Sequence, residues 1–228
     1  MQQVLIIAAH SDDETLGCGG TIARHIAQGD ELSVIFMTNG VGSRTQHSTE
    51  CITNRAKATD AAMEILGVKT HRSFDFPDNA LDTVPLLEIT KAIEEICNEW
   101  GIPKIVYTHC PHDLNIDHRT VYEATMTCFR PQPSNGNRPE QILTYEVLSS
   151  TGWRSNATPM PFLPNYFVDI TDHIATKMKA LDAYAEEMRP WPHARSLQAV
   201  EALAQVRGSH VGLKYAEAFS VERIITTL

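Results

Sequence analysis

The sequence lacks the features that would assign it to several specialised classes of protein. No apolar stretch approaches the length of a membrane-spanning helix, and the first residues carry no basic segment of a secretory signal. The 19 Lys and Arg residues are outnumbered by 28 Asp and Glu residues, which are scattered along the chain. A nucleic-acid surface needs clustered basic residues, so we expect no nucleic-acid or membrane partner and a cytoplasmic location.

Cysteine is also arranged in a way that excludes thiol-based sites. The five cysteines are odd in number, and no two of them form a CxxC pair. We therefore expect neither a disulfide framework nor a structural zinc site built on thiolates. Cys97 and Cys128 lie in apolar helical patterns that predict core positions. Cys110 lies beside a histidine-rich segment, where we expect a packed small residue and a reactive thiol is the alternative. We expect all five thiols to be reduced and none to be a catalytic nucleophile.

The first half of the chain alternates predicted strands with predicted helices. The first predicted strand begins at Val4, and three more cover 31–38, 72–76 and 104–108. The first predicted helix ends near residue 28, and two more cover 52–66 and 86–100. The glycine-rich stretch 17–20 is interpreted as a turn before the first helix. This order predicts an α/β fold with a Rossmann-like, mostly parallel sheet, right-handed crossovers and helices on both faces.

The second half is less regular. Strands are predicted at 141–147 and 166–170, with a helix at 172–188 capped by Thr171, and loops at 39–50, 130–139 and 159–164. The two Pro-rich loops are too short to be domain linkers, and no internal repeat is present. The sequence therefore predicts one domain over 1–228, and it is compatible with a homo-oligomer.

Polar groups follow the first predicted strand directly. The segment His10-Ser11-Asp12-Asp13-Glu14 brings an imidazole and three carboxylates to the strand end. In an open α/β sheet the carboxyl ends of the strands are where ligands bind. The alternative is a solvated loop in which Asp12 or Asp13 caps a helix that starts near Thr15.

A second polar cluster follows the strand at 104–108. Its histidines and aspartates are His109, His112, Asp113, Asp117 and His118. If the two strands are adjacent, both clusters lie on one rim of the sheet. Neutral imidazoles with one carboxylate are the donor set of a catalytic zinc site, in which the fourth position is left to water. Two such clusters on separate strand ends favour a metal site over surface loops.

The two motifs, in this order, resemble the PIG-L/LmbE-like family of zinc-dependent N-deacetylases. Segment 9–14 and the glycine-rich stretch after it are similar to the first family motif, and segment 115–119 is similar to the second. Segments 207–208 and 212–219 also resemble the family. The resemblance runs from the first strand to nearly the last residue, and it implies one deacetylase domain.

By this resemblance three residues are zinc (Zn²⁺) ligands: His10, Asp13 and His118. Asp12 would be the general base, because one of two adjacent carboxylates can bind metal while the other faces the substrate water. Arg55 and Asp78 fall where the family places groups that contact substrate. For Arg55 a solvated helix position is the alternative.

Two positions depart from the family pattern. The family usually has proline where Ser11 stands, which we expect to change only the stiffness of the loop. It usually has histidine at the position of Asn115, where it stabilises the oxyanion. Asn115 can donate a hydrogen bond to the oxyanion but does not titrate. The other candidates for stabilising the oxyanion are His112, which we also expect to contact substrate, and His210. In the family pattern Asp117 would orient a histidine; here we expect it to cap the next helix or to orient His118.

The function implied is that of a zinc hydrolase acting on an amino-sugar substrate. It would remove an N-acetyl or other small acyl group from an amino sugar such as N-acetylglucosamine, or from a glycoconjugate. One alternative is a zinc amidase that cleaves a larger amide or thiol conjugate. Another is a non-catalytic Rossmann-type nucleotide-binding module, but 17–20 matches G-x-G-x-x-G poorly and the preceding carboxylates would repel a pyrophosphate.

Overall fold

One mixed sheet organises the part of the chain that the computed structural model describes, residues 1–42, 49–133, 138–154 and 160–226. Its strands are β1 Gln3–Ala8, β2 Glu31–Thr38, β3 Thr70–Phe76, β4 Ile105–His109, β5 Gln141–Tyr145, β6 Tyr166–Asp169 and β7 Ala216–Ile224. The helices are α1 Asp13–Ala27, α2 Thr49–Leu66, α3 Leu86–Trp100, α4 Ile116–Cys128, α5 Ile174–Ala183 and α6 Leu197–Ser209. Two short 3₁₀ turns lie at Leu81–Thr83 and Thr151–Trp153.

The strand order is β3-β2-β1-β4-β5-β7-β6. The first five strands in this order are parallel, and β7 pairs antiparallel with both β5 and β6. From β1 the chain adds β2 and β3 on one side, and it then returns to place β4 on the other side of β1. The direction in which strands are added therefore reverses between β1 and β4. In a sheet of this kind, ligands bind at the carboxyl ends of the strands beside such a reversal. Both polar motifs of the sequence follow these two strands.

Helices cover both faces of the sheet, and β1 shows why. Alternate side chains of a strand point to opposite faces, and here Val4 and Ile6 join one apolar core while Leu5 and Ile7 join the other. The first core is covered by α1, α2, α5 and α6, and the second by α3 and α4. Burial on both faces explains the uninterrupted apolar run of β1.

The predicted α/β fold is confirmed, and β2 and α3 have the predicted bounds. The helix predicted at 172–188 is wrong in length and in its cap. α5 ends at Ala183, because Tyr184 leaves the helical conformation and packs its ring into the core. Thr171 does not cap the helix, since its hydroxyl accepts from the backbone N of Tyr215 at 3.4 Å; the N-cap is His173.

The glycine-rich stretch 17–20 is not a turn but part of α1, which is interrupted at Cys18 (φ −143°, ψ 22°). Gly17 and Gly20 are required for packing. A Cβ at Gly17 would lie 2.3 Å from the Tyr145 ring, and one at Gly20 would lie 2.8 Å from Ile170. These glycines let the helix approach the sheet, so they do not form a phosphate-binding loop.

A buried ion pair occupies the interruption in α1. Lys177 Nζ donates to Leu16 O at 2.9 Å and to Glu217 Oε1 at 2.6 Å. The same carboxylate accepts from the backbone N of Gly20 at 2.9 Å and of Thr21 at 2.7 Å. Lys177 thus caps the first half of the helix and Glu217 the second, which fixes the half that begins at the first polar motif.

No helix among the described residues is long and apolar enough to cross a membrane. The loops predicted at 39–50, 130–139 and 159–164 fall partly on residues 43–48, 134–137 and 159, which lie outside the described ranges.

Candidate active site

The two polar motifs meet at the carboxyl ends of β1 and β4. Residues 9–12 connect β1 to α1, which begins with Asp13 and Glu14. Residues 110–115 connect β4 to α4, which carries His118 in its first turn. The chemical groups are deeply buried: Asp12, Asp13 and His118 are each 1 % exposed or less. Burial of so many ionisable groups requires partners of opposite charge or a metal.

Two imidazoles converge on one carboxylate. His10 Nδ1 lies 3.0 Å from Asp13 Oδ2, and His118 Nε2 lies 3.1 Å from the same oxygen. The backbone N of His10 also donates to it at 3.0 Å. We call these three residues, His10, Asp13 and His118, the imidazole cluster. Their ligand atoms all lie close enough together to hold one metal ion.

The other nitrogen of each imidazole faces a buried carboxylate. His10 Nε2 lies 3.0 Å from Asp117 Oδ2 and 3.2 Å from Asp78 Oδ1. His118 Nδ1 lies 3.2 Å from Asp113 Oδ2, so the expectation that Asp117 orients His118 is wrong; Asp117 does not cap α4 either, because the N-cap is Asn115. A metal-binding histidine generally donates its second N–H to such a group, which fixes the ring and its tautomer. Both histidines of the imidazole cluster therefore have the orienting carboxylates that are typical of metal-binding histidines.

Asp13 retains an oxygen for a ligand. Its Oδ1 is buried and has no hydrogen-bond partner among the described residues. Burial alone raises the pKa of this carboxyl, but the charges and hydrogen bonds of His118 and His10 hold that pKa well below its usual value. Asp13 is thus an ionised, buried carboxylate with one oxygen free, which fits a cation at the imidazole cluster.

Asp12 faces a different environment. Arg195 Nη1 lies 3.1 Å from its Oδ2, and Arg55 Nη2 lies 3.4 Å from its Oδ1. Glu187 bridges the two arginines, 2.7 Å from Arg55 Nη1 and 3.6 Å from Arg195 Nη1. We call Asp12, Arg55, Glu187 and Arg195 the arginine cluster. Burial raises the pKa of Asp12, and the two guanidinium groups oppose that rise.

The backbone of Asp12 separates the two adjacent aspartates. Its φ of 118° is in a region that a non-glycine residue rarely adopts. Glu14 stabilises this conformation, since its Oε2 accepts from the backbone N of Asp12 at 2.9 Å. The Oε1 of Glu14 accepts from the hydroxyls of Thr15 at 2.5 Å and Tyr184 at 3.0 Å. Glu14 thus holds the loop that turns Asp12 away from Asp13.

Ser11 does more than change the stiffness of the loop, contrary to the expectation from sequence. Its hydroxyl accepts from Arg55 Nε at 2.8 Å, and its backbone carbonyl accepts from Arg55 Nη2. The hydroxyl contact is one that proline could not make. Arg55 is 7 % exposed and its three nitrogens all bond to protein groups, so it is not a solvated helix residue.

His109, which received no function in the sequence analysis, supports His118. The two rings stack with centroids 3.9 Å apart and planes at 20°. The backbone N of Ala9 donates to His109 Nε2 at 2.8 Å. Burial, followed by the neighbouring His118 charge, holds the pKa of His109 well below its usual value. His109 is thus a neutral ring that links β1 to β4 beneath the site.

The three candidates for stabilising the oxyanion, Asn115, His112 and His210, lie in three different places. Asn115 is the N-cap of α4: its Oδ1 accepts from the backbone N of Asp117 at 2.8 Å, and its Nδ2 donates to Asn79 Oδ1 at 3.1 Å. His112 is half-buried in the turn before this cap. His210 is exposed at the end of α6, with its ring 6.4 Å from that of Phe167 in β6, outside both clusters.

Sequence reasoning missed Arg195, Glu187 and Ser150. Arg195 and Glu187 are more than 170 residues from Asp12 in the chain, and no local pattern marks them. Ser150 donates to Asp113 Oδ2 at 3.0 Å from the loop after β5. The signal that could have been used is Asp113, because a buried carboxylate beside a predicted metal-binding histidine is an expected partner.

Comparison with known proteins identifies the family of this chain. Residues 5–129, more than half of the chain, match the family model described as PIG-L, GlcNAc-PI de-N-acetylase.

This chain belongs to the PIG-L family.

Its relatives in that family include named deacetylases. The chain is 32 % identical over 184 residues to the uncharacterized deacetylase YaiS of Escherichia coli (strain K12), which covers 78 % of this chain and 88 % of the relative. It is 27 % identical over 234 residues to the diacetylchitobiose deacetylase of Thermococcus kodakarensis, covering 95 % of this chain and 82 % of that protein.

A solved structure shows the same PIG-L fold. The N,N'-diacetylchitobiose deacetylase from Pyrococcus horikoshii aligns with a TM-score of 0.76 at 25 % identity, over 96 % of this chain and 83 % of that chain. The resemblance to a deacetylase family and the mostly parallel α/β fold that it implies are therefore confirmed.

Proposed function

We propose that this protein is a zinc-dependent N-deacetylase that removes an acetyl group from the nitrogen of an amino sugar. The observation that carries the proposal is the division of the motif: Asp13 lies between two imidazoles, whereas Asp12 lies between two arginines. A hydrolase of this kind needs one carboxylate to hold the metal and a separate one to move protons.

The donor set suits zinc. One histidine nitrogen from each of His10 and His118, with one oxygen of Asp13, matches the two-histidine, one-carboxylate sets of catalytic zinc sites. Asp13 Oδ1, buried without a partner among the described residues, is an oxygen that a cation would satisfy. When bound, zinc supplies a Lewis acid that acidifies water and polarises an amide carbonyl.

Asp12 is proposed as the general base and then the general acid. Its carboxylate would take the proton of the attacking water and return it to the leaving amine, because an amine leaves poorly without a proton. Arg55 and Arg195 contact one oxygen each, at 3.4 Å and 3.1 Å, and would fix the direction of the carboxylate.

The other predicted contacts stay proposals. Asn115 would donate to the developing oxyanion through the second N–H of its amide, since an amide carries two donors and Asn79 takes one. His112 is the competing donor. Asn115→Ala and His112→Ala separate them when turnover and bound metal are measured: loss of turnover with metal retained marks the donor. Direct substrate contact by Arg55 and Asp78 is tested in the same way.

The proposed substrate is an N-acetylglucosamine unit, free or in a glycoconjugate. Support comes from the relatives, two of which are named for deacetylation of diacetylchitobiose. A zinc amidase for larger amides is the remaining alternative. A dinucleotide-binding module is disfavoured, because Gly17 and Gly20 are used to pack α1 against Tyr145 and Ile170.

The test is an acetate-release assay on zinc-loaded protein. We expect hydrolysis of N-acetylglucosamine or N,N'-diacetylchitobiose, loss of activity with a chelator and recovery with added zinc. Hydrolysis of a bulky N-acyl amide without hydrolysis of either sugar would support the amidase instead. Full activity after complete removal of metal would contradict the proposal.

A further inference from the structure

An aromatic pair lies near the site and is not used by the proposed chemistry. The ring of Trp153 meets the ring of His193 edge to face, with centroids 5.6 Å apart and planes at 81°. Trp153 is 54 % exposed, although tryptophan is on average a highly buried residue. We call Trp153 and His193 the aromatic pair.

A short segment connects Trp153 to the imidazole cluster. Trp153 ends the 3₁₀ turn that follows Ser150, and its backbone N donates to Ser150 O at 3.1 Å. The Ser150 hydroxyl donates to Asp113 Oδ2 at 3.0 Å and lies 3.2 Å from His118 Nδ1. The indole is therefore three residues from a group that touches a proposed metal ligand.

A second short segment connects His193 to the arginine cluster. The backbone N of Arg195 donates to His193 Nδ1 at 3.0 Å. The Arg195 side chain then reaches Asp12 Oδ2 at 3.1 Å and Ser149 Oγ at 2.6 Å. Since three residues of chain span at most about 10 Å, the backbone of Trp153 lies within that distance of Ser150, and the backbone of His193 lies within it of Arg195.

The arrangement of the rings leaves an aromatic face available. An edge-to-face contact covers at most one face of one ring, and the exposure of Trp153 shows that its indole remains accessible. An aromatic face carries partial negative charge. The C–H bonds on one face of a pyranose carry partial positive charge and present a flat apolar surface that packs on such a ring.

We propose that the aromatic pair is a stacking subsite for the sugar ring that adjoins the ring carrying the scissile amide. This inference rests on the proposed function, and it specifies the substrate as a disaccharide or a longer glycoconjugate. Trp153 supplies the stacking surface, and His193 holds the indole from the side. The pair then determines specificity for length without taking part in the reaction.

The test compares kcat/KM for N,N'-diacetylchitobiose and for N-acetylglucosamine in zinc-loaded protein. Trp153→Ala should lower the value for the disaccharide about tenfold, the scale of losing one buried apolar ring face, and leave the monosaccharide value unchanged. Trp153→Phe should recover most of the loss. Trp100→Phe is the control, because Trp100 stacks with Arg72 at the opposite end of the strands and should change neither value.

Equal loss on both sugars in Trp153→Ala would overturn the subsite, because a second ring is absent from the monosaccharide. A change of oligomeric state in sedimentation would also overturn it and assign the aromatic pair to a contact between copies.

If the parent hydrolyses neither sugar, the proposed function fails separately. Calorimetry then tests the subsite: the disaccharide must bind more tightly than the monosaccharide, and Trp153→Ala must abolish that advantage. Equal binding to the parent would overturn it.

Discussion

The imidazole cluster and the arginine cluster each contain one of two adjacent aspartates, Asp13 and Asp12, yet the two clusters are built from opposite chemistry. Asp13 is surrounded by imidazoles, each backed by a further carboxylate. Asp12 is surrounded by permanent cations, which Glu187 links. Imidazole nitrogens with a carboxylate oxygen suit a metal ion such as zinc, whose binding releases the imidazole protons, whereas guanidinium groups would repel one.

The difference shows how one dipeptide can serve two functions. The φ of 118° at Asp12 turns its side chain away from that of Asp13, and Glu14 holds the strained backbone by accepting from the N–H of Asp12. The cost of this conformation, of order 1–3 kcal/mol, is offset by contacts around it. Separation of the metal and the base is therefore built into the loop.

The largest effect is expected at the imidazole cluster. His118→Ala removes one of two proposed nitrogen ligands, so bound zinc and deacetylation should both fall below detection. Elemental analysis and the acetate assay measure these quantities. His71→Ala is the matched control, since His71 on β3 pairs with exposed Asp60 of α2 and its substitution should change neither. Retention of one zinc per chain in His118→Ala would assign the metal elsewhere.

The next effect concerns the arginine cluster. Asp12→Asn keeps the shape of the side chain but removes the base, so zinc should stay bound while kcat falls by roughly 10²–10⁴-fold. Asp13→Asn should instead lose zinc. If both variants keep the metal and only the substitution of Asp13 lowers kcat, the assignment is contradicted, because Asp13 would then be the base.

A smaller effect is expected from the carboxylates behind the histidines. Asp117→Asn and Asp113→Asn should each weaken zinc binding by roughly 10–100-fold, because the imidazole loses the acceptor that orients it. A competition titration with a zinc-binding dye measures this affinity. Asp60→Asn, in the remote His71 pair, is the matched control. Unchanged zinc affinity in both site variants would show that these carboxylates do not orient ligands.

The smallest effect is a pH dependence of stability caused by Glu14. Burial is the main cause that raises the pKa of this carboxyl, from 4.5 to about 7. The folded state binds the proton more tightly than the unfolded state, so this stabilisation is present below the unfolded pKa and is lost as pH rises through about 7. The loss is at most about 3.5 kcal/mol, because one pKa unit corresponds to about 1.4 kcal/mol.

Urea unfolding of the metal-free parent and of Glu14→Gln, at about pH 5 and about pH 8, tests this assignment. The parent should lose more free energy of unfolding between the two conditions than the variant, whose amide does not titrate. The same pH dependence in both proteins would assign the effect to another group.

Local pattern predicted much of the fold and the centre of the site. The apolar run of β2 and the helical spacing of α3 predict both elements with the observed bounds. His10, Asp13 and His118 were identifiable because they follow strand ends in motifs that resemble a known family, and the structure brings them together.

Other features depend on tertiary contacts that no local pattern contains. Arg195 contacts Asp12 from the far end of the chain, and the positive φ of Asp12 depends on contacts that Glu14 and its partners provide. The helix at 172–188 was predicted too long because Tyr184 is apolar and buried without being helical.

Anomalous scattering at the zinc absorption edge, from crystals of the zinc-loaded protein, tests the division between the two clusters most directly. We expect a single anomalous peak that marks one zinc ion coordinated by His10 Nδ1, His118 Nε2 and an oxygen of Asp13 at about 2.0–2.2 Å. Asp12 should face Arg195 and should not coordinate the zinc. A peak bonded to Asp12, or a peak centred on His10, Asp78 and Asp117 instead, would contradict the division.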